Sequence, residues 1–237
     1  MLSRFRSLIL LAGFGAAAAA VAFFHPRIFS RLLEQNTSDE VLFHVVTREK
    51  QIALTIDDGP HPELTPQILD ILAEYGVPAT FFVIGDNIPG NEALMERMVA
   101  EGHELGNHLM TDQASITLTA EEFDDQLTTA HRLVSAYGPV RWFRPGSGWY
   151  NGRMLAKIKP YNYRAVVGSV YPYDAQFSSV EFASSYILGN VQPGAIIVLH
   201  DGYGDREATV EILRRVLPTL QKRGYRIKTL TDLTTGK

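Results

Sequence analysis

The sequence predicts an α/β fold in which helices bury a parallel sheet, and three observations carry that expectation. Short apolar runs alternate with segments of helical period from residue 52 almost to the C-terminus. Residues able to do chemistry fall just past the predicted strands, where parallel α/β sheets gather their functional groups. A chain of 237 residues, 46% hydrophobic and 20% charged, suits one sizeable domain. Periodicity alone leaves an open doubly wound sheet and a barrel equally available.

The elements follow in order. Residues 52–56 read as a strand. Thr65 followed by Pro66 predicts an N-cap with proline at the first helical position, and Ile68, Leu69, Ile71, Leu72 and Tyr75 form an apolar stripe that Gly76 ends. Residues 79–84 predict a second strand, 91–101 a helix stopped by Gly102, and 104–106 a short third strand. Thr119 and Glu122 make a capping-box pattern that opens a long helix through Phe123, Leu127, Val134 and Tyr137. Further strands are expected at 142–143, 165–167, 195–199 and 225–227, with helices at 179–188 and 206–223. Residues 27–48 read as a connector that settles into a first strand or edge.

Arg4 and Arg6 precede seventeen uncharged, mostly apolar residues, 8–24, which His25, Pro26 and Arg27 end. That length lies between a signal-peptide core of roughly 7–15 residues and the ~17–25 that span a bilayer. Residues 1–26 are therefore expected to form a hydrophobic helix acting as a signal-anchor, or a signal peptide if cleaved. The expected location is the cell membrane, single-pass with residues 49–235 outside the cytoplasm, or secretion after cleavage. Arg4, Arg6, Arg27 and Arg31 all precede the first acid, Glu34, which leaves 18 basic against 26 acidic residues, net −8, in the rest. That balance disfavours a nucleic-acid partner. The absence of cysteine excludes disulfides and thiolate metal sites, so His, Asp and Glu are the available ligands.

Asp57 and Asp58 stand where a strand breaks at Gly59-Pro60. Neighbouring strand residues point to opposite faces, so two adjacent acids converge on one centre only if the backbone leaves the pleat; otherwise they serve the turn's own hydrogen bonds. His108 and Asp112 are four apart, which on a helical turn lets them share a cation or form a solvated ion pair. His103 beside them reads as structural. Arg144, at a strand end before Gly146-Ser147-Gly148, suits a carboxylate, while Trp149 and Tyr150 stack on a sugar or fill core. His200, past the strand at 195–199, suits a general acid or a structural role.

In their order and spacing these runs resemble the polysaccharide deacetylase family, whose members remove N- or O-acetyl groups from chitin-like, peptidoglycan or xylan chains. The resemblance covers residues 50–233 and implies a distorted (β/α) barrel of seven or eight strands. It implies Asp57 as catalytic base, with Asp58, His108 and Asp112 binding a divalent metal, Zn²⁺ first and Co²⁺ or Mn²⁺ as alternatives. It further implies Arg144 orienting the base, an oxyanion-binding backbone N–H near Ser147, and His200 as general acid in the run Val198-Leu199-His200. The substrate is expected to be an acetylated polysaccharide or oligosaccharide, with Trp149 and Tyr150 in its groove.

Three departures from the family pattern qualify those expectations. Asp112 stands where the family has a second histidine, which makes the ligand set formally neutral around a divalent ion and favours harder ions. Arg144-Pro145-Gly146-Ser147 lacks the tyrosine of the Arg-x-Pro-Tyr pattern. Tyr171-Pro172-Tyr173-Asp174-Ala175 keeps one acid of Asp-x-x-Asp-Trp, leaving Asp174 as a partner for Arg144 or His200. The expected activity is metal-dependent hydrolysis of acetamido groups. An acetyl esterase on the same fold and a non-catalytic surface glycan-binding module are the alternatives.

Overall fold

The computed structural model describes residues 39–202 and 206–236. Its strands are β1 (Val41–Leu42), β2 (Gln51–Asp57), β3 (Thr80–Val83), β4 (Glu104–Asn107), β5 (Trp142–Phe143), β6 (Arg164–Val166), β7 (Ile196–His200) and β8 (Arg226–Lys228). The helices between and after them are α1 (Leu64–Tyr75), α2 (Glu92–Ala100), α3 (Ala120–Ser135), α4 (Gly152–Ile158), α5 (Val180–Asn190), α6 (Ala208–Lys222) and α7 (Leu230–Thr235). All pairings are parallel, in the order β1-β6-β5-β4-β3-β2-β7. The eighth strand, β8, pairs with Gln51–Ala53 of β2, on the side that β3 occupies higher up.

β1 and β7 do not pair with each other, so the eight-stranded sheet curls into a barrel that stays open. Residues 169–170 cover the β7 edge instead, with Val170 N–H donating to Ile196 and Val198 N–H donating to Val170. This is the distorted barrel that the family resemblance implies.

Period-two alternation sorts the strand residues into two environments. Leu42, Ala53, Phe82, Trp142, Val166 and Ile196, one from each of six strands, face inward and pack with Leu230 and Leu233 of α7. Ile52, Leu54, Ile56, Phe81, Val83, Leu105, Ile197 and Leu199 face outward against helices, in the larger core. A smaller core joins Phe43, Phe123, Leu127, Phe143, Met154 and Ala165 under α3 and α4.

α7 closes the N-terminal end of the barrel. Leu230 N–H donates to Thr80 Oγ1 (3.0 Å), Thr231 N–H to Glu104 Oε2 (3.1 Å), and Trp142 Nε1 to Glu104 Oε1 (3.0 Å). The opposite, C-terminal end is where the strands deliver their polar residues.

Several sequence expectations hold, two change, and two short helices come in addition. The capping box of Thr119 and Glu122 is formed, and Gly76 ends α1 in the left-handed conformation. Thr65 is not the α1 N-cap; the helix starts two residues earlier than expected, at Leu64 after Glu63, and the Thr65 hydroxyl is drawn instead to Asp201 and the His61 N–H. The short helices α4 and α7 carry too few turns to print a clear apolar period. Residues 108–114 form a loop, with bends at 110–113, rather than a helical turn, because Leu109 adopts φ 64° and its N–H is taken by Asn107 Oδ1 (2.8 Å). Among the described residues no helix is long and apolar enough to cross a membrane. The predicted N-terminal anchor lies outside the described residues.

Candidate active site

The inward phase that brings Ala53 and Phe82 into the barrel also brings Asp57, His108, Arg144 and His200 to its C-terminal mouth. All four are buried. Asp57 and His200 are Cα partners across β2 and β7. Arg144 reaches across the mouth from the end of β5: its Nη1 donates to Asp57 Oδ1 and to Thr55 Oγ1 (2.8 Å), and its Nε to the Val166 carbonyl (3.2 Å). The guanidinium lies over Phe82, 4.0 Å from the ring centroid. A planar cation fixed on three sides in this way holds the Asp57 carboxylate in one orientation.

Asp58 by alternation would point away from the barrel. It takes φ 76° instead, a left-handed conformation rare outside glycine and typical of functional turns. That twist, located at the second acid itself rather than at Gly59, returns its carboxylate to the mouth beside Asp57. Asn87 Nδ2 donates to the Asp58 carbonyl (2.7 Å), and Gly202 packs so closely on Asp58 that any side chain there would collide.

Asp58 Oδ1 faces His108 Nε2 at 3.4 Å, and His108 Nδ1 meets the Arg144 carbonyl at 2.7 Å. A carbonyl only accepts, so Nδ1 carries a proton and Nε2 is the nitrogen turned to the mouth. Burial opposes charge on both groups. The Asp58 hydrogen bond and the neighbouring carboxylates nevertheless raise the His108 pKa, while His108, His200 and Arg206 hold the Asp58 carboxyl below its usual range.

Asp112 lies on the exposed bend after His108. Burial, then the charge of Asp58, raises its pKa. Among the described residues no group of three or more His, Asp or Glu side chains converges as a ready metal cage. Asp58 and His108 do form a two-donor edge: a carboxylate opposite an imidazole whose other nitrogen is anchored by a carbonyl, the usual support of a metal-binding histidine. Arg206 Nη2 stands 3.8 Å from Asp58 Oδ2, and its Nη1 donates to the Ala175 carbonyl (2.7 Å).

Asp174 partners His200 and not Arg144. His200 Nδ1 is 3.1 Å from both Asp174 oxygens, and the His200 N–H donates to Asp174 Oδ2 (2.9 Å). Burial disfavours the imidazolium, but the charge and hydrogen bond of Asp174, joined by Asp57 and Asp58, raise its pKa to about 9. Tyr171 packs edge-on against the ring.

Around this centre, Ser147 takes φ 61° and is exposed, Trp149 is 69% exposed at the rim, and Tyr150 packs partly against the smaller core. His103 is buried away from the mouth, accepts the Ala79 N–H, and is pushed by burial down to about 4, as suits a structural imidazole. Sequence reasoning missed Thr55, Asn87, Asp201 and Arg206. Thr55 was findable, since it lies two residues before Asp57 on the same strand face; the other three reach the site through loops and helix ends that carry no period.

An open parallel α/β barrel with an arginine-held acid opposite an aspartate-held histidine defines a class of acid–base hydrolase scaffolds. The polysaccharide deacetylase family profile matches residues 44–166, and the chain belongs to that family. It is 36% identical to a peptidoglycan-N-acetylglucosamine deacetylase of Bacillus cereus, over 81% of this chain and 92% of that one. Among solved structures it is similar to the Bc1960 peptidoglycan N-acetylglucosamine deacetylase, with TM-score 0.78, 29% identity, and 83% and 93% of the two chains covered. A CE4 family pseudoenzyme from Bacillus anthracis superposes with TM-score 0.76 at 27% identity, covering 84% and 70%. A family 4 acetyl xylan esterase from Clostridium thermocellum, solved with a cobalt ion, gives 0.73 at 31%, covering 78% and 90%.

Proposed function

We propose that the chain hydrolyses acetamido groups on N-acetylated glycans, chitin-like or peptidoglycan chains, with Asp57 as general base and His200 as general acid. The observation that carries this reading is that Asp57, at the end of β2, pairs with Arg144, while His200, its partner at the end of the adjacent β7, pairs with Asp174. An attacking water gives its proton to Asp57, whose carboxylate Arg144 keeps aimed at the mouth. His200 is protonated at neutral pH, with a pKa of about 9, and can deliver a proton to the departing amine. The charged acid favours an amide over an acetyl ester, because an amine leaves far less readily without a proton than an alkoxide does. A backbone N–H near Ser147 is the proposed oxyanion donor, and Trp149 with Tyr150 the proposed sugar contacts.

Asp58 and His108 are the proposed ligands of a divalent ion, with Asp112 as a third. When bound, Zn²⁺, or alternatively Co²⁺ or Mn²⁺, would act as a Lewis acid on the acetyl carbonyl. Domain organisation and location complete the reading: residues 1–26 anchor the chain, and residues 49–235 form the catalytic domain outside the cytoplasm. A non-catalytic glycan-binding module, the pseudoenzyme case, is disfavoured because Asp57, Arg144, Asp174 and His200 form two complete ion pairs.

The test is acetate release from N-acetylglucosamine oligomers by the purified protein, after chelation and again after resupply of Zn²⁺, Co²⁺ or Mn²⁺. Release restored by a metal supports the reading. Glycan binding with no acetate under any metal would overturn it.

A further inference from the structure

Residues 57–59 and 200–202 interlock beyond the end of the β2–β7 ladder. His200 is the register partner of Asp57, and Asp201 N–H then donates to the Asp57 carbonyl (2.9 Å). Gly202 packs on Asp58, and the Asp201 carboxyl lies so close to Gly59 that any side chain at 59 would strike it. Asp201 is fully buried and takes no part in the proposed proton transfers. Its Oδ2 accepts from the Thr65 hydroxyl, and that hydroxyl oxygen accepts the His61 N–H (2.7 Å). Among the described residues its Oδ1 has no hydrogen-bond partner.

One residue thus ties the strand that ends in His200 to the turn that holds Asp57 and Asp58, through its main-chain N–H and the packing of its carboxyl on Gly59, and to the first turn of α1, through the carboxyl's bond with Thr65. We infer that Asp201 is a positioning residue: through Thr65 and Gly59 it sets the placement of the Asp57 turn relative to His200. Base and acid come from different strands, and a shift of about an ångström between such groups can cost about 10²-fold in rate. Burial raises the Asp201 pKa to about 7, and an amide at this position keeps the shape of the carboxyl and an acceptor oxygen for Thr65.

The inference rests on the deacetylase reading, and the experiment separates the two. Thr65→Val, Asp201→Ala, Asp201→Asn and the Thr65→Val/Asp201→Ala pair are compared for kcat, KM and melting midpoint. The expected result is a kcat about 10- to 100-fold lower in Thr65→Val and Asp201→Ala, with KM within about 2-fold, and a double variant no worse than Asp201→Ala alone. Asp201→Asn should stay within about 3-fold of wild type, since it keeps the shape and an acceptor for Thr65. Wild-type kcat in folded Thr65→Val, or an Asp201→Asn as impaired as Asp201→Ala, would overturn the inference. If Asp201→Ala does not fold, Thr65→Val and Asp201→Asn decide. A wild type that released no acetate would sink the deacetylase reading alone; the latch is then read from hydrogen exchange of the Asp201 amide, expected about 10-fold faster in Thr65→Val and overturned if unchanged.

Discussion

Asp57 and His200 occupy the same rung of the sheet, as Cα partners in the adjacent parallel strands β2 and β7. The ladder brings the two to one rung, and the Asp201 contacts just past its end hold the turn there, which suits a proposed base and acid that must act on one substrate. Asp57 stands apart from the Asp58–His108 edge, because Arg144 claims its carboxylate. Asp57→Asn is expected to lower acetate release by about 10²- to 10⁴-fold, the usual contribution of a general base, while divalent-metal affinity by calorimetry stays unchanged. Near-normal turnover in that variant would remove Asp57 from the base role.

With His200 as the proposed acid, the His200–Asp174 pair should set the alkaline side of the pH profile. The folded pKa of His200, about 9, lies above the ordinary value of 6.5. Activity that needs the imidazolium should thus persist at neutral pH and fall as pH rises through about 9. The same sign governs stability: the contribution of the pair is fully present below about 6.5 and is lost as pH rises through about 9. Asp174→Asn removes the largest stabilising charge, so its kcat profile should break at lower pH than wild type. An alkaline limb unmoved by Asp174→Asn would show that another group sets it.

The barrel and much of its mouth were legible in the sequence for one reason. Alternation with period two sends Asp57, Arg144 and His200 inward with Ala53, Trp142 and Ile196, and each functional residue closes an apolar run. The left-handed turn at Asp58 was half legible: a break in the pleat was required, but Gly59 was the expected pivot, whereas its lack of a side chain serves the close approach of Asp201. The spacing of His108 and Asp112 misled, since a four-residue interval reads as a helical turn only if the backbone is helical, and Leu109 at φ 64° breaks it. Asp201, Arg206 and the α7 plug were not legible, because they act through contacts between distant segments that no local period encodes.

Arg144 should matter to stability as much as to turnover. It is 3% exposed, and its guanidinium is committed to Asp57, Thr55, the Val166 carbonyl and the face of Phe82. Arg144→Ala leaves the buried Asp57 carboxylate without its cation, a change that costs about 3–5 kcal/mol for a broken buried pair. Arg144→Lys keeps the charge but not the fork or the stacking, and should fall between the two. Urea denaturation of the three proteins checks the order. A loss below about 1 kcal/mol for Arg144→Ala would mean that the pair is solvated in a way its burial contradicts.

Metal affinity should depend unequally on the three proposed ligands. Asp58 and His108 already face each other at 3.4 Å inside a buried mouth, whereas Asp112 lies on an exposed bend. Calorimetric titration of the chelated protein with Zn²⁺, Co²⁺ and Mn²⁺ is expected to lose the binding signal in Asp58→Ala and His108→Ala. Asp112→Ala should weaken binding by a smaller factor, because a solvent-exposed donor has less pre-organisation to lose. Asp112→His replaces a hard oxygen by an imidazole nitrogen and should shift preference from Mn²⁺ towards Zn²⁺. Unchanged affinity in Asp112→Ala would remove that residue from the ligand set and leave Asp58 and His108 with solvent to complete the shell. Unchanged affinity in His108→Ala would place the ion elsewhere altogether, since no other imidazole stands against Asp58 with its second nitrogen held by a carbonyl among the described residues.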